Sequence, residues 1–532
     1  MPGTVGQYIV GLLAENGIDT VFGIPGVHNL ELYRGLASSG LRHVLVRHEQ
    51  NAGFAADGFA RRSGRPAAAF VISGPGLSNI LTAAAQARSD SVPMLIVAST
   101  PVKESLAKGW GVLHELPDQR LLAAGACGIA RTALSATDAR DHLREAFASF
   151  QLGRPRPAYL EIPLDLLAEP TDLQPGPFMH VGGSIQPAAR EIERAAGLLR
   201  GARRPLIIAG GGAQRAGAEL RQLVEMLDAY LITTIAAKGV LAESHPANLG
   251  AVLQFASGRR QLAEADVVLA VGTELAETDF YSVSRLEIGG TLIRIDIDAS
   301  KLADHYAAQV GIWGDAQASL AAVLRQGLAS SGWRAREPEL AARLRRQIEQ
   351  ELAASQRAGL RLLGGLRAGL PAEAAVFSDM TQVAYLGNYA FPVETPLCWF
   401  HPAGYGTLGY ALPAAMGALL AAPERPAVAL AGDFGLQFTL QELITAVELE
   451  LSLPVVLWNN AALGQIRDDM QTAGIPAVGV VGRNPDFQAL AAAYGARAQR
   501  VSSPEELASA LQAALRHRGP TLLEANQADF AA

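Results

Sequence analysis

The chain repeats one unit: a short apolar run that stops at glycine, proline, serine or an acid, then a longer stretch whose apolar residues recur at helical spacing. AAAFVIS (67–73) and PMLIVAS (93–99) show it early, and RPLIIAGGG (204–212), DVVLAVG (266–272) and TLIRIDID (291–298) show it in the middle. AAVFSD (374–379), PAVALAGD (426–433), LPVVLWNN (453–460) and PTLLEAN (520–526) repeat it near the end. Apolar runs this short and without alternation read as strands covered on both faces, and strands that alternate with helices pair in parallel. The predicted fold class is therefore α/β, with three consecutive doubly wound parallel sheets. The segment EPTDLQPGPFMHVGGSIQP (169–187) has no periodicity and reads as a linker, while 315–368 turns rich in Ala, Leu, Arg and Glu and reads as surface and connecting helix. The expected domains are 1–170, 186–345 and 355–532.

At 532 residues and 49% hydrophobic content, several cores can form. A net charge of −7 without a basic block gives no electrostatic footprint for nucleic acid. Cys127 and Cys398 make no CxxC pair or disulfide framework, which points to a reducing cytoplasm. No apolar run is long enough to span a membrane, and no basic-then-apolar leader opens the chain.

Two strand ends then stand out: Gly432-Asp433 and Asn459-Asn460. Ligands of open parallel sheets bind beyond the carboxyl ends of the strands, and one crossover brings these two ends side by side. A carboxylate oxygen, an amide oxygen and a backbone carbonyl suit Mg²⁺, which keeps phosphate and water in its other positions. A helix expected to start near Leu436 would point its N–H groups at the same diphosphate. A helix cap at Asp433 and a turn at Asn459-Asn460 fit these residues equally well. Other segments have to decide.

The spacing of Asp433 and Asn460 resembles the thiamine diphosphate signature of the family that contains acetolactate synthases and 2-oxo acid decarboxylases. That resemblance implies thiamine diphosphate and Mg²⁺ as cofactors, with Asp433, Asn460 and the carbonyl of Ala462 on the metal. It places Gly432, Phe434, Gly435, Leu463 and Gly464 against the diphosphate, although Phe434 stands where the commonest pattern has glycine. GIPGVHNLELYRGL (23–36), VRHEQNAGFAADGFAR (46–61) and SGPGLSNILTAAAQARSDSVPML (73–95) look like the family's pyrimidine-binding domain. Glu49 then matches the acid beside N1′ of the aminopyrimidine, with Pro25, Gly26, Gly74 and Asn79 around the cofactor. A lone glutamate would otherwise read as a solvated helix-terminal acid. HEQNA is also no zinc helix, because position 52 is Ala where HExxH needs its second His. HPAGYGTLGYALPAAMGALL (401–420) is similar to the segment under the thiazolium, with Gly406 and Leu408 at the cofactor; a core leucine would look the same in the sequence.

In the middle region, IIAGGGAQRAG (207–217) fails GxGxxG. GTELAETDFYS (272–282) lacks the arginine of the FAD segment in acetolactate synthases, so FAD is not expected and the nucleotide site reads as vestigial or empty.

Three places bear on the reaction. Leu113-His114-Glu115 replaces the Phe-Gln-Glu of acetolactate synthases, and the resemblance to simple decarboxylases makes His114 a proton relay, a task that an imidazole suits near neutral pH. A surface-loop histidine is the plain alternative. In NNAALGQIRDDM (459–470), Gln465, Ile466 and Asp469 are expected to face the substrate, and Asp469 stands in place of a tryptophan. A carboxylate there can pair bidentately with a guanidinium, though Asp468 and Asp469 cannot both face inward. Val27 replaces the aspartate that pyruvate decarboxylases carry beside His28, and both residues are expected at the substrate. GIPGVHNLELYRGL, GVLHELPDQ and GDFGLQFT together resemble the 5-guanidino-2-oxopentanoate decarboxylase branch. The implied reaction is non-oxidative decarboxylation of that 2-oxo acid to the aldehyde. An acetolactate synthase-like carboligase and a non-catalytic relative are the alternatives. In the family the acid of the first domain and the metal ligands of the third come from different subunits, which implies a homodimer or homotetramer with the active site between subunits.

Overall fold

The computed structural model describes residues 3–179, 182–281, 283–352 and 356–531. Within them lie three six-stranded sheets, every one parallel throughout. The first runs Arg42–Leu45, Thr20–Gly23, Ala68–Val71, Leu95–Thr100, Ala158–Pro163, Ile129–Thr132 from edge to edge. The third runs Trp399–Phe400, Ala375–Ser378, Ala427–Gly432, Pro454–Asn459, Thr521–Asn526, Arg497–Val501. Counted in chain order, the two have the same arrangement: second, first, third, fourth, sixth, fifth. The central sheet differs. Its order is Asn248–Gly250, Tyr230–Thr233, Pro205–Ala209, Val267–Val271, Thr291–Asp296, Val310–Trp313, the dinucleotide-fold arrangement of third, second, first, fourth, fifth, sixth. Inner strands such as Leu95–Thr100 and Ala427–Gly432 are buried at every residue, because helices cover both faces.

Two readings from composition need correction. Within 169–187, Pro170–Thr171 pairs antiparallel with Gly3–Thr4, so the start of the linker is tied to the chain's amino end; His180 and Val181 lie outside the described residues. The stretch 315–368 is more than surface helix. Trp333 is fully buried against Tyr230, and Leu340, Leu344 and Ile348 of helix Leu340–Glu351 are buried. The helical pattern was legible; the apolar stripe that it buries belongs to the central core.

The first and third sheets meet through two helices. Helix Glu49–Ser63 is buried from Asn51 to Ala60 because its residues are mostly small, and helix Ala411–Ala421 is buried from Ala411 to Leu420. They approach so closely that a Cβ on Gly58 would lie 1.9 Å from the Ala414 carbonyl oxygen, and a Cβ on Gly417 1.9 Å from that of Ala55. Buried polar bonds surround the crossing: Tyr410 donates to Asp57 at 2.6 Å, and Asn51 Nδ2 and Arg47 N–H donate to Glu442 Oε1 at 2.8 and 2.7 Å. Arg154 joins the first region to the central one by a bidentate pair with Glu274 at 2.6 and 2.7 Å.

Candidate active site

Two clusters form at the carboxyl ends of the first and third sheets. In the first, Glu49 opens the helix Glu49–Ser63 behind the N-cap His48 and is only 8% exposed. It is therefore no solvated helix-end acid. Asn79 Nδ2 donates to its Oε2 at 2.9 Å. After strand Thr20–Gly23, the loop is held by Asn29, which accepts from the Gly26 N–H at 2.8 Å; Pro25 and Val27 are exposed, while His28 is buried. His28 Nδ1 lies 2.5 Å from Ser73 Oγ, and its ring meets that of His114 edge-on at a centroid distance of 4.7 Å. Burial, and then the neighbouring His114, push the His28 imidazole below its usual pKa. His114 is thus half-buried against a second imidazole, its Nδ1 without a hydrogen-bond partner among the described residues and its backbone in the left-handed region at φ 64°. For a non-glycine residue that conformation is uncommon and concentrates at functional sites. Gly74 (φ 64°) makes it possible: a Cβ there would sit 2.7 Å from the His114 carbonyl oxygen.

The second cluster is built on the register of adjacent strands, in which Gly432 pairs with Trp458 and so brings Asp433 level with the start of the Asn459-Asn460 turn. The helix after the strand begins at Asp433, not near Leu436, and the crossover breaks into two short helices, Asp433–Gln437 and Glu442–Glu448. Gly432 is the cap residue; Asp433 stands inside the first turn with its carboxylate turned to other partners. It is 2% exposed and accepts from Asn484 Nδ2 at 2.6 Å. Burial pushes its carboxyl up, against the hydrogen bonds from Asn484 and from backbone N–H groups including that of Ala461. Among the described residues no lysine, arginine or histidine pairs with it. A buried carboxylate without a cationic side chain fits a metal ion. Asn460 is turned by its Nδ2, 3.4 Å from Gln382 Oε1, and by its Oδ1, which accepts from Ala462 N–H at 3.1 Å. Ala461 takes φ 52°, which bends the chain so that Ala462 pairs with Val481 and Leu463 N–H reaches Val480 O at 2.8 Å. Asp433 thus lies against the turn that carries Asn460 and Ala462, and a carboxylate, an amide oxygen and a backbone carbonyl are ligands that fit Mg²⁺.

Glycines leave room where side chains would collide. A Cβ at Gly435 would meet Asp379 Oδ2 at 2.8 Å, and one at Gly464, the first residue of helix Gly464–Thr472, would meet Gln382 Oε1 at 2.4 Å. Phe434 packs its half-buried ring over Gly482, where an added Cβ would lie 2.7 Å from the ring. Gly406 is exposed at φ 73°, and Leu408 is only half-buried, unlike the core leucines around it. On helix Gly464–Thr472, Asp468 turns inward and accepts from Gln382 Nε2 at 2.7 Å; Asp469 is exposed with Ile466 and Gln465, and Gln465 Nε2 donates to it at 3.0 Å.

Sequence reasoning passed over Asp379, Gln382 and Asn484. Asp379 ends a strand as Asp433 does, and that signal was available. Burial pushes its carboxyl up to about 7, against N–H bonds from Met380, Gly409 and Tyr410 that fix the loop carrying Gly406 and Leu408. Asn484 comes from a distant loop and has no local signature.

Among the described residues, no hydrogen bond, ion pair or ring contact joins the Glu49–His28–His114 cluster to the Asp433–Asn460 cluster. Between the three regions, a crevice of about 470 Å³ is lined by Gly212, Thr273 and Glu274 of the central one, Asp90 and Arg154 of the first and His401 of the third, among others. Glu274 there is committed to Arg154 and Lys301.

An acid over one parallel sheet and a metal-fitting triad over another with the same strand order are the parts of a thiamine diphosphate site. Residues 3–121, 192–323 and 379–525 match, in turn, the N-terminal TPP binding domain, the central domain and the C-terminal TPP binding domain of thiamine pyrophosphate enzymes. The chain belongs to that family. It is 49% identical over 528 residues to the probable 2-ketoarginine decarboxylase AruI of Pseudomonas aeruginosa, covering 99% of this chain and 94% of that protein. It is 33% identical to the acetolactate synthase large subunit of Corynebacterium glutamicum (96% and 84% covered) and 30% identical to the acetolactate synthase isozyme 1 large subunit of Escherichia coli (98% and 93%).

Proposed function

We propose that the protein is a thiamine diphosphate- and Mg²⁺-dependent decarboxylase that converts 5-guanidino-2-oxopentanoate, the 2-oxo acid of arginine, to its aldehyde in the cytoplasm. The observation that carries this reading is the likeness to the Pseudomonas protein, at 49% identity over 99% of the chain. Asp433, Asn460 and the Ala462 carbonyl would hold the metal on the diphosphate. Bound there, the cofactor supplies the electron sink that lets a 2-oxo acid lose CO₂. Glu49, kept from water and oriented by Asn79, holds the proton at the aminopyrimidine. The His28–His114 pair returns a proton to the substrate carbon once CO₂ has left, with His28 favoured in its neutral form by burial. Asp469, exposed beside Gln465, takes the guanidinium tail, and Val27 leaves the opposite wall apolar.

The two clusters belong to one site only if a second copy supplies the other half, so the assembly is a homodimer or a homotetramer of paired dimers. Support comes from apolar side chains left bare around both clusters, including Val27, Leu113, Ile466, Val478 and Val481. The domains are taken as 1–170, 186–345 and 355–532. Flavin is not part of this reading, because the segment GTELAETDFYS (272–282) carries no arginine.

The test is a panel of 2-oxo acids, with and without thiamine diphosphate and Mg²⁺, scored for CO₂ and for aldehyde. The guanidino acid should be the best substrate and should yield 4-guanidinobutanal. Acetolactate from pyruvate as the main product would replace this reading with the carboligase; no CO₂ from any acid would replace it with the non-catalytic relative.

A further inference from the structure

Behind the histidine pair lies a buried amide. Gln119, the first residue of helix Gln119–Ala126, is 5% exposed and far too enclosed to touch a substrate. Its Oε1 accepts from Gly74 N–H at 2.8 Å. Its Nε2 faces Ser99 O at 2.9 Å, Tyr159 Oη at 2.7 Å and Glu161 Oε2 at 3.2 Å. Glu161 accepts in addition from Tyr159 Oη–H at 2.8 Å and from Thr132 Oγ1–H at 2.7 Å. Every side-chain polar atom of this group has a partner, and the orientation of the Gln119 amide is fixed: its oxygen must meet an N–H and its NH₂ must meet a carboxylate.

The oxygen lands on the one peptide unit that three site residues share. Gly74 presses against the backbone of His114. Its predecessor Ser73 contacts His28. Gly74 also caps the helix Pro75–Ser89, which brings Asn79 to Glu49. We infer that Gln119, seated on Glu161, is a positioning residue that sets the His28–His114 pair and the Asn79–Glu49 bond together through Gly74. The inference rests on the proton-transfer roles given above to His114 and Glu49. A leucine would leave both the Gly74 N–H and the Glu161 carboxylate short of a partner, and a glutamate would oppose two carboxylates.

The experiment uses the full-length protein loaded with thiamine diphosphate and Mg²⁺, and reads kcat, KM, the pH profile of kcat and the NMR titration of the histidine rings. Gln119→Leu and Gln119→Glu should each lower kcat by tenfold or more with a smaller change in KM, and should move the titration midpoint of His28 or His114. The double variant Gln119→Glu/Glu161→Gln exchanges donor and acceptor between the two side chains, restores the bond between them and keeps the Gly74 N–H bond while giving up the one to Ser99 O, and should recover part of kcat and move the titration back towards the original. Tyr159→Phe removes two bonds of the same network, from Gln119 and to Glu161, but leaves Gln119 on Gly74, and should keep both readouts. Unmoved histidine titrations in Gln119→Leu, a double variant no better than Gln119→Glu, or an equal loss in Tyr159→Phe would each overturn the inference. His114→Gln at full wild-type turnover would instead refute the proton-transfer reading, and the histidine titrations would still decide the role of Gln119.

Discussion

The crossing of helices Glu49–Ser63 and Ala411–Ala421 predicts a large effect from the smallest side chain. A Cβ on Gly417 would lie 1.9 Å from the Ala55 carbonyl oxygen, and the colliding atoms are backbone, so no rotamer change relieves them. The helices must part by more than about 1 Å before the methyl group clears, in a core packed as densely as a crystal. Overpacking of this kind costs about 1–3 kcal/mol, and alanine's better helix propensity returns at most ~1 kcal/mol. The displaced helix begins at Glu49, and its first turn is anchored to the third region through Asn51 and Glu442. Gly417→Ala should therefore unfold at lower urea concentration and should need more thiamine diphosphate for half-maximal turnover. Gly364, on the exposed side of helix Arg357–Gly369, has nothing within 4 Å of an added Cβ, so Gly364→Ala should be neutral or slightly stabilising. If Gly417→Ala unfolds with the wild type and binds cofactor equally well, the close crossing does not hold the site in place.

Glu49→Gln should leave the urea midpoint unchanged and cut turnover by a factor on the order of 10²–10⁴; retained activity would sink the assigned proton role. Asp469→Ala should lower kcat/KM for the guanidino acid roughly ten- to hundred-fold and leave an aliphatic 2-oxo acid nearly unaffected, since a charged hydrogen bond is worth ~1.5–3 kcal/mol; equal losses for both would remove the cation pocket. Burial raises the Glu274 carboxyl, but hydrogen bonds and charge from Arg154 and Lys301 overcome it and hold the pKa at about 2. A depressed acid stabilises the fold above its unfolded value and loses that contribution as pH falls towards 2, so the melting difference between wild type and Glu274→Gln should shrink from pH 5 to pH 2, and a constant difference would contradict the pairing. Phe434→Gly should expose the 474–484 loop to limited proteolysis and weaken Mg²⁺ binding by roughly fivefold, for ~1 kcal/mol of lost ring burial; unchanged protection would leave the Phe434–Gly482 contact without a role.

The architecture was legible where strands are covered on both faces, because such strands are short apolar runs bounded by turn residues and alternating with helical stretches. In the third region the runs at 374–379, 426–433, 453–460 and 520–526 became the four inner strands. The two edges were silent. Trp399–Phe400 is too short for a period, and Arg497–Val501 is polar and mostly exposed, as an edge open to water can be. The candidate site was legible where residues rare in strands stand at strand ends, as at Asp433 and Asn460. It was illegible where one buried polar group satisfies another across the fold. Gln119 lies within the quoted GVLHELPDQ, but nothing local says that its amide will be enclosed between Gly74 and Glu161. Likewise, DD at 468–469 says that one aspartate turns inward; only the place of Gln382 says which.

Phe434 shows how a departure from a family pattern can be compensated nearby. Where the commonest sequence has glycine, the aromatic ring needs a surface, and it finds one at Gly482, whose missing side chain is the space that the ring fills. The same loop gives Val480 O to Leu463 N–H, Gly482 N–H to Ala461 O and Asn484 Nδ2 to Asp433. The ring is thus placed where it can press the loop onto the turn that carries Asn460 and Ala462. A glycine at 434 gives up that contact, and a larger residue at 482 gives up the room for it. The two positions act as one feature, and a substitution at either should be read with the other in mind: Gly482→Val should disturb Mg²⁺ binding in this chain because Phe434 stands opposite, and Phe434→Gly in the same molecule should relieve much of that disturbance.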